Sequence, residues 1–527
     1  MPEAYLWTGG RIFTGRRWCE ALVIDGPRVV YAGPSAGAHR ARPAGCETVD
    51  LHGHVIVPGL VDAHLHLADL TRAREGLDLR DVRSISELRE RVAAWADRTP
   101  SAAVVGRGWD QERFEERRWP TRRDLEAAVD GRPAILYHAS GHAAVVNGPA
   151  LEAAGLRGNA PDPPNGRLGR EPNGSPNGLL YEGALQAVSP IASAADPPTA
   201  EGIARTLAFA SSYGLTTVAT MNTSREELAA LGSLAARAPL PVRVRSYLRL
   251  SILDERPPAP TDPMLAPGPV RVVGVKGFTD GAFGPRTAWL SSPYADAPDS
   301  AGLPLGTEEE FRDRLDRAGA LDLAPALHAI GDRAVARSLR LLRGRRGPTT
   351  APPRVEHAAL TPPELFPELE QARPVLVVQP GFVHSDWWLG ARLGAGRARW
   401  AYAFRTLLDR GHLLAGSSDA PYDPLDPWRG MAAAVQRVDA EGRSANPSPQ
   451  ESLSAEEALR LYTAGGGDAL GEPSVGSLEE GSVADLVVLG ATGLPEALRA
   501  GARSVEETWA GGRRVFRRPG EGGTVKP

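Results

Sequence analysis

Eight short apolar runs, separated by Ala/Leu/Arg-rich helical pattern, occupy the middle of this 527-residue chain. They lie near 55–67 (VIVPGLVDAHLHL), 215–222 (LTTVATMN), 242–250 (VRVRSYLRL) and 270–278 (VRVVGVKGF). The other four lie near 323–331 (LAPALHAIG), 354–358 (RVEHA), 375–382 (VLVVQPGF) and 413–421 (LLAGSSDAP). Runs of this kind are buried on both faces, as parallel strands are, and parallel neighbours need a helical crossover between them. Eight such units is the number that closes a (β/α)8 barrel, in the α/β class.

Spacing tests the count. A barrel of about 250 residues spends about 31 on each strand–helix unit. Lys276 to His328 is 52 residues, one unit with a long loop; His328 to His357 is 29, one unit; His357 to Asp419 is 62, two units. The first and second runs lie about 120 residues too far apart for one unit, which places an inserted segment at 68–195. It holds helical pattern of its own (SISELRERVAAWADR). It also holds PDPPNGRLGREPNGSPNG, whose Pro, Gly and Asn content reads as an exposed loop. The chain's two ends have another texture, short alternating strands broken by Gly-rich turns (YLWTGGRIF, ALVIDGPRVVYAG; GSLEEGSVADLVVLG, SVEETWAGGRRVF), which predicts small antiparallel sheets. The expected layout is a β-sandwich built from residues 1–55 and 474–520 around a barrel of residues 56–473.

A net charge of −4 offers no basic field for nucleic acid and no polybasic membrane anchor. No apolar run reaches the ~18 residues of a membrane span, and the first residues lack a signal peptide's layout, so the expected setting is the cytoplasm. Cys19 and Cys46 build neither a disulfide framework nor a cysteine-based metal site. Of 60 basic residues only two are lysines, Lys276 and Lys526. Lys526 reads as tail; Lys276 lies inside the fourth apolar run.

His64 and His66, two apart on a strand, share a face, and in a barrel strand that face is the interior. Two buried imidazoles are ready ligands for zinc or a similar cation. His52 and His54 have the same spacing but fall in a presumed turn, and read as structural. His328 and His357 end the fifth and sixth runs, and Asp419 ends the eighth, where a carboxylate is costly to bury unless paired or metal-bound. A buried lysine loses its charge readily, and a neutral amine can add carbon dioxide to become an anionic carbamate able to bridge two cations. The other reading of Lys276 is an ion pair with Asp280.

The stretches PGLVDAHLHL, VKGFTDGAFGPRTAWL, LHAIGDRAV, RVEHA, VVQPGF and GSSDAP, in this order, resemble the motifs of metal-dependent amidohydrolases. They are most similar to the YtcJ-like branch, which includes N-substituted formamide deformylases. The resemblance spans nearly the whole chain and implies a TIM-like barrel with a β-sandwich and an insertion after strand one. It further implies a dinuclear site, with zinc the expected ion. His64 and His66 would hold one metal and His328 and His357 the other, with carboxylated Lys276 bridging them and Asp419 on the first. GRGWDQERFEERRWP and YHASGHAAVVNGPAL in the insertion are similar to segments that cover the site in this branch. His142 would then touch the substrate or polarise its carbonyl, or else be a structural loop histidine. Trp109, Phe114 and Trp119 would line an apolar pocket or form the insertion's core, and Gln379, Trp387 and Trp388 would face the same mouth.

The expected reaction is hydrolysis of a non-peptide C–N bond by a metal-activated hydroxide, with Asp419 moving the proton to the leaving nitrogen. A small linear N-acyl or N-formyl amide is the expected substrate, and a homodimer the expected assembly. Hydrolysis of esters, lactones or phosphotriesters by the same centre is the first alternative, and a non-catalytic metal-binding module the second. Arg286 and Arg333 are the only charged residues expected near the strand ends besides the ligands, which favours an apolar or weakly anionic substrate.

Overall fold

The computed structural model describes residues 3–255, 268–345, 351–438 and 448–519, so Lys526 lies outside the described residues. Its centre is a sheet of eight strands: β1 (Leu60–Leu65), β2 (Leu215–Thr223), β3 (Arg243–Arg249), β4 (Val270–Phe278), β5 (Ala324–Ala329), β6 (Arg354–His357), β7 (Val375–Val378) and β8 (Leu414–Gly416). They pair in sequence order, every neighbour parallel. Beyond β8 the main chain seals the remaining gap: Asp419 N donates to His64 O, and His66 N to Ala420 O, each at 2.8 Å. The result is the (β/α)8 barrel that the eight runs predict.

The crossover helices form where local signals and core demand agree. Thr307 and Glu310 make a capping box at the start of Glu308–Ala320, whose Phe311, Leu315 and Ala318 face the core. Asp332–Leu342 buries Val335, Leu339 and Leu342 against the barrel, each such side chain contributing about 1.5–3 kcal/mol.

The first apolar run is two strands rather than one. Val55–Pro58 belongs to a terminal sheet, pairing with Arg11–Phe13 and antiparallel to Leu486–Leu489, and only β1 enters the barrel. Gly59 makes the break: a Cβ there would stand 2.4 Å from Thr216 Oγ1 and 2.8 Å from Asp485 Cβ. The terminal region has one four-stranded and one six-stranded sheet. They share a core that includes Trp7, Leu22, Ile56, Leu486 and Trp509. Both sheets are mixed rather than antiparallel, since Ala4–Thr8 runs parallel to Glu47–Asp50, and Arg11–Phe13 parallel to Val55–Pro58.

Between β1 and β2 the inserted segment folds a six-stranded sheet of its own. Its strands alternate between two cores: in Ala134–His138, Leu136 joins Trp109 and Phe114, while Ile135 joins Val146 and Leu180 on the other face. The Pro/Gly/Asn-rich stretch is not a loop. Gly166–Arg170 pairs antiparallel with Pro176–Glu182, which begins in it, with Asn165 and Gly174 at positive φ in the turns and Gly178 at positive φ within the second strand. The turn residues serve a hairpin here. Among the described residues no helix is long and apolar enough to cross a membrane.

Candidate active site

The C-terminal ends of the strands bring together all six groups implied as metal ligands. His64 is wholly buried on β1, and its Nε2 stands 3.2 Å from Asp419 Oδ1 and 3.3 Å from Lys276 Nζ. His66, the residue after β1, points its Nε2 at the same Asp419 oxygen, 3.4 Å away. The ring of His357 lies 5.1 Å from that of His64 and 4.4 Å from that of His328, centroid to centroid. Ligating atoms of His64, His357 and Asp419 fall within 4.8 Å of one another. Two of these residues bend the backbone to arrive: His357 has φ +71° and Asp419 φ +58°, the left-handed region that His and Asp tolerate better than most.

A second ring of contacts fixes how three of the imidazoles face. His64 Nδ1 meets Glu356 Oε2 at 2.5 Å, leaving Nε2 for the centre. His357 Nδ1 donates to Gln379 Oε1 at 2.6 Å, and His328 Nε2 to Gly281 O at 3.0 Å. Such partners set tautomer and ring orientation in metal sites. Glu356 is itself held by Arg354 (2.7 Å), whose guanidinium also reaches Tyr247 Oη and Ala63 O. Burial drives His357 down to about 3 and His328 well below its ordinary value, so both rings stay neutral, the state that ligates. Lys276 is pushed down to about 8 by burial, against the pull of Glu356 and Asp419. Burial disfavours the charged Asp419 carboxylate, but the neighbouring histidines outweigh this and hold it well below the usual range.

Lys276 is not paired with Asp280. That carboxylate accepts from Trp289 N, Ile330 N and Gly331 N at 2.8–3.0 Å, while Lys276 Nζ lies 4.5 Å over the Phe278 ring. The donor set fits a cation on one observation above all. Asp419 Oδ1 is buried and makes no hydrogen bond of ordinary geometry, although it faces two imidazole nitrogens. Two imidazole nitrogens and this carboxylate oxygen converge there, with Lys276 Nζ beside His64 Nε2.

A cavity of about 420 Å³ opens from the centre, lined among others by His142, His328, His357, Asp419, Phe382 and Trp388. A second, of about 460 Å³, reaches His66 from the other side of Tyr422. His142 comes from the inserted segment, its ring 4.9 Å from that of His328 and its Nδ1 2.8 Å from Glu182 Oε2. Burial depresses this imidazole, but Glu182 and the more distant Asp280 and Asp419 raise it, for a net shift upward.

Other expected contacts land elsewhere. Trp109 is fully buried in the insertion's core, its indole nitrogen donating to Leu136 O, and Phe114 packs beside it. Trp119 stacks on His138, and Trp387 is exposed. Gln379 is a buried support for His357, tied also to Ser417 Oγ. Arg286 pairs with Asp296, Arg333 lies over Trp289, and neither lines the cavity. Charge reaches the cavity wall through other residues: Asp78 with Arg80, Asp110 with Arg113, Asp423 with Arg429, and Asp386, whose partner is the Tyr402 hydroxyl. The expectation of few charges at the mouth therefore fails, because these side chains come from the inserted segment and from the stretches after β7 and β8 rather than from the barrel strands. Glu356, Arg354, Tyr247 and Glu182 carry no local sequence signal as site residues.

The barrel and its histidine–aspartate–lysine centre agree with what comparison finds. Residues 47–516 match the pattern of the Amidohydrolase family, and the chain belongs to that family. It is 32% identical over 511 residues to the Bacillus subtilis protein YtcJ, named as an amidohydrolase, covering 92% of this chain and 94% of that one. It is 26% identical over 508 residues to the N-substituted formamide deformylase of Arthrobacter pascens, covering 91% of each. A metal-dependent hydrolase from Pyrococcus horikoshii superposes with a TM-score of 0.75 at 31% identity, over 93% of this chain and 97% of that one. The protein is thus an enzyme, a metal-dependent amidohydrolase.

Proposed function

We propose that this enzyme hydrolyses a small, linear, non-peptide amide, an N-acyl or N-formyl amine, at two divalent cations held by His64, His66, Lys276, His328, His357 and Asp419. The observation that carries the proposal is the buried, unsatisfied Asp419 Oδ1 with the His64 and His66 Nε2 atoms turned on it, at the floor of a cavity large enough for a small substrate. Cations there, zinc being suited to this nitrogen-rich set, supply Lewis acidity that brings water's pKa toward neutrality and polarises a carbonyl. Lys276 takes part as a carbamate: its amine nitrogen bonds the carbon of carbon dioxide and loses a proton, giving an anion where a cationic lysine would repel metal. Asp419 Oδ1 takes the proton of the attacking water and passes it to the leaving nitrogen, which departs only when protonated. The C–N bond breaks, a C–O bond forms, and an acid and an amine leave. His142, favoured in its charged form by Glu182, offers its Nε2 proton to the substrate's carbonyl oxygen. Phe382 and Trp388 give an apolar wall to one half of the amide. The formamide deformylase among the relatives supports this choice of bond.

The test is a panel of N-formyl and N-acyl amines with matched esters, lactones and phosphotriesters, run beside metal analysis. Amide turnover with two metals per chain is expected. Ester turnover without amide turnover overturns the substrate reading, and less than one metal per chain overturns the dinuclear centre.

A further inference from the structure

Glu182 ends the last strand of the inserted sheet with φ +52° and ψ −123°, a backbone conformation that glycine adopts readily and a side chain resists. Such outliers persist only where surrounding contacts enforce them, commonly at functional sites. Here both the side chain and the main chain of Glu182 meet His142. Glu182 Oε2 lies 2.8 Å from His142 Nδ1, and Glu182 N donates to His142 O at 3.0 Å, so side chain and main chain grip the same residue. The Glu182 side chain is only 3% exposed, and its Oε1 has no hydrogen-bond partner. Gly281 makes room for it: a Cβ at that position would stand 2.0 Å from Oε1. His142 lines the cavity; Glu182 stands behind it.

We infer that Glu182 is a positioning residue: it accepts the Nδ1 proton of His142, fixes the ring, and leaves Nε2 as the nitrogen presented to the substrate across from His328. The inserted segment thereby completes a site that the barrel alone leaves open on one side. An uncompensated carboxyl oxygen and a strained backbone are poor choices for stability, and both are explained if the orientation of His142 is what they secure. The role of His142 toward an amide carbonyl rests on the function proposed above; the coupling of Glu182 to His142 does not.

A double-mutant cycle tests it, with wild type, Glu182→Gln, His142→Asn and the double variant, each metal-loaded. Glu182→Gly serves as a second variant because glycine accepts φ +52° without strain. Both Glu182 variants are expected to lose roughly 10–100-fold in kcat, as happens when supports of metal-ligating imidazoles are removed, with KM little changed and metal content equal to wild type. In the His142→Asn background the Glu182→Gln change is expected to cost nothing further. Equal losses in both backgrounds, a loss of metal, or full activity of either Glu182 variant would each overturn the inference. Should the wild type turn over esters and no amide, the substrate reading fails, and the same cycle run on the ester still decides the role of Glu182.

Discussion

Two histidine pairs of identical spacing lie twelve residues apart in this chain and meet opposite ends. His52 and His54 sit in the turn between Glu47–Asp50 and Val55–Pro58. The His52 side chain is 82% exposed, and its charged neighbour is Asp50, 3.8 Å away and itself largely exposed. His64 and His66 sit at the end of a barrel strand, buried, one backed by Glu356 and both turned on Asp419. The spacing puts two rings on one side of an extended chain in either place. What separates the pairs is what each ring's second nitrogen finds and whether water competes for the first. What sets the second pair apart is its surroundings, and those come from strands hundreds of residues away.

The comparison can be broken at several points. The largest effect is expected from His64→Asn or Lys276→Arg: metal analysis should show the dinuclear centre lost and turnover at background. Retention of both metals and activity by Lys276→Arg would remove the carbamate from the mechanism. Asp419→Asn should keep much of the metal while kcat drops by about 10²–10⁴, the range of a general acid–base group; unchanged turnover would strip Asp419 of its proton role. Glu356→Gln probes the backing of His64. Metal affinity, read by competition with a chelator, should weaken roughly 10–100-fold. Denaturant unfolding should also show a stability loss of about 3–5 kcal/mol from breaking the buried pair with Arg354. The smallest effect belongs to the turn: His52→Asn and His54→Asn should leave metal content and kcat untouched and shift stability by no more than about 0.5 kcal/mol. Metal loss in the His52 variant would mean that spacing had mattered after all.

The barrel is legible in the sequence because parallel strands are buried on both faces and so read as unbroken apolar runs, β4 being the clearest. The candidate ligands are legible because each stands in or just after such a run, where a polar side chain is conspicuous. Their supports are not. Glu356 lies beside His357 in RVEHA, yet its partner His64 is 292 residues away, and no local pattern announces that meeting. Gln379 is visible as a polar residue after β7, but whether it faces substrate or a histidine is decided by the packing of β6 beside it. Trp109 illustrates the converse: a large aromatic in a polar stretch looks available, and the insertion turns out to have an interior of its own to fill. The hairpin at Gly166–Glu182 was hidden by its turn residues, which in isolation signal loop.

The seam between β8 and β1 has a consequence for how this molecule comes into being. His64, His66 and Asp419 all lie on that seam, and the bonds that close it, Asp419 N to His64 O and His66 N to Ala420 O, run through the ligands themselves or their immediate neighbour. Residues 355 positions apart must meet before the floor of the site exists, and closing so long a loop is entropically unfavourable until other contacts hold its ends near one another. The terminal sheet lies beside that seam, where Val55–Pro58 and Leu486–Leu489 pair. It works as a clasp: the chain's beginning and end fasten to each other, and the ring they fasten is the one that carries the chemistry.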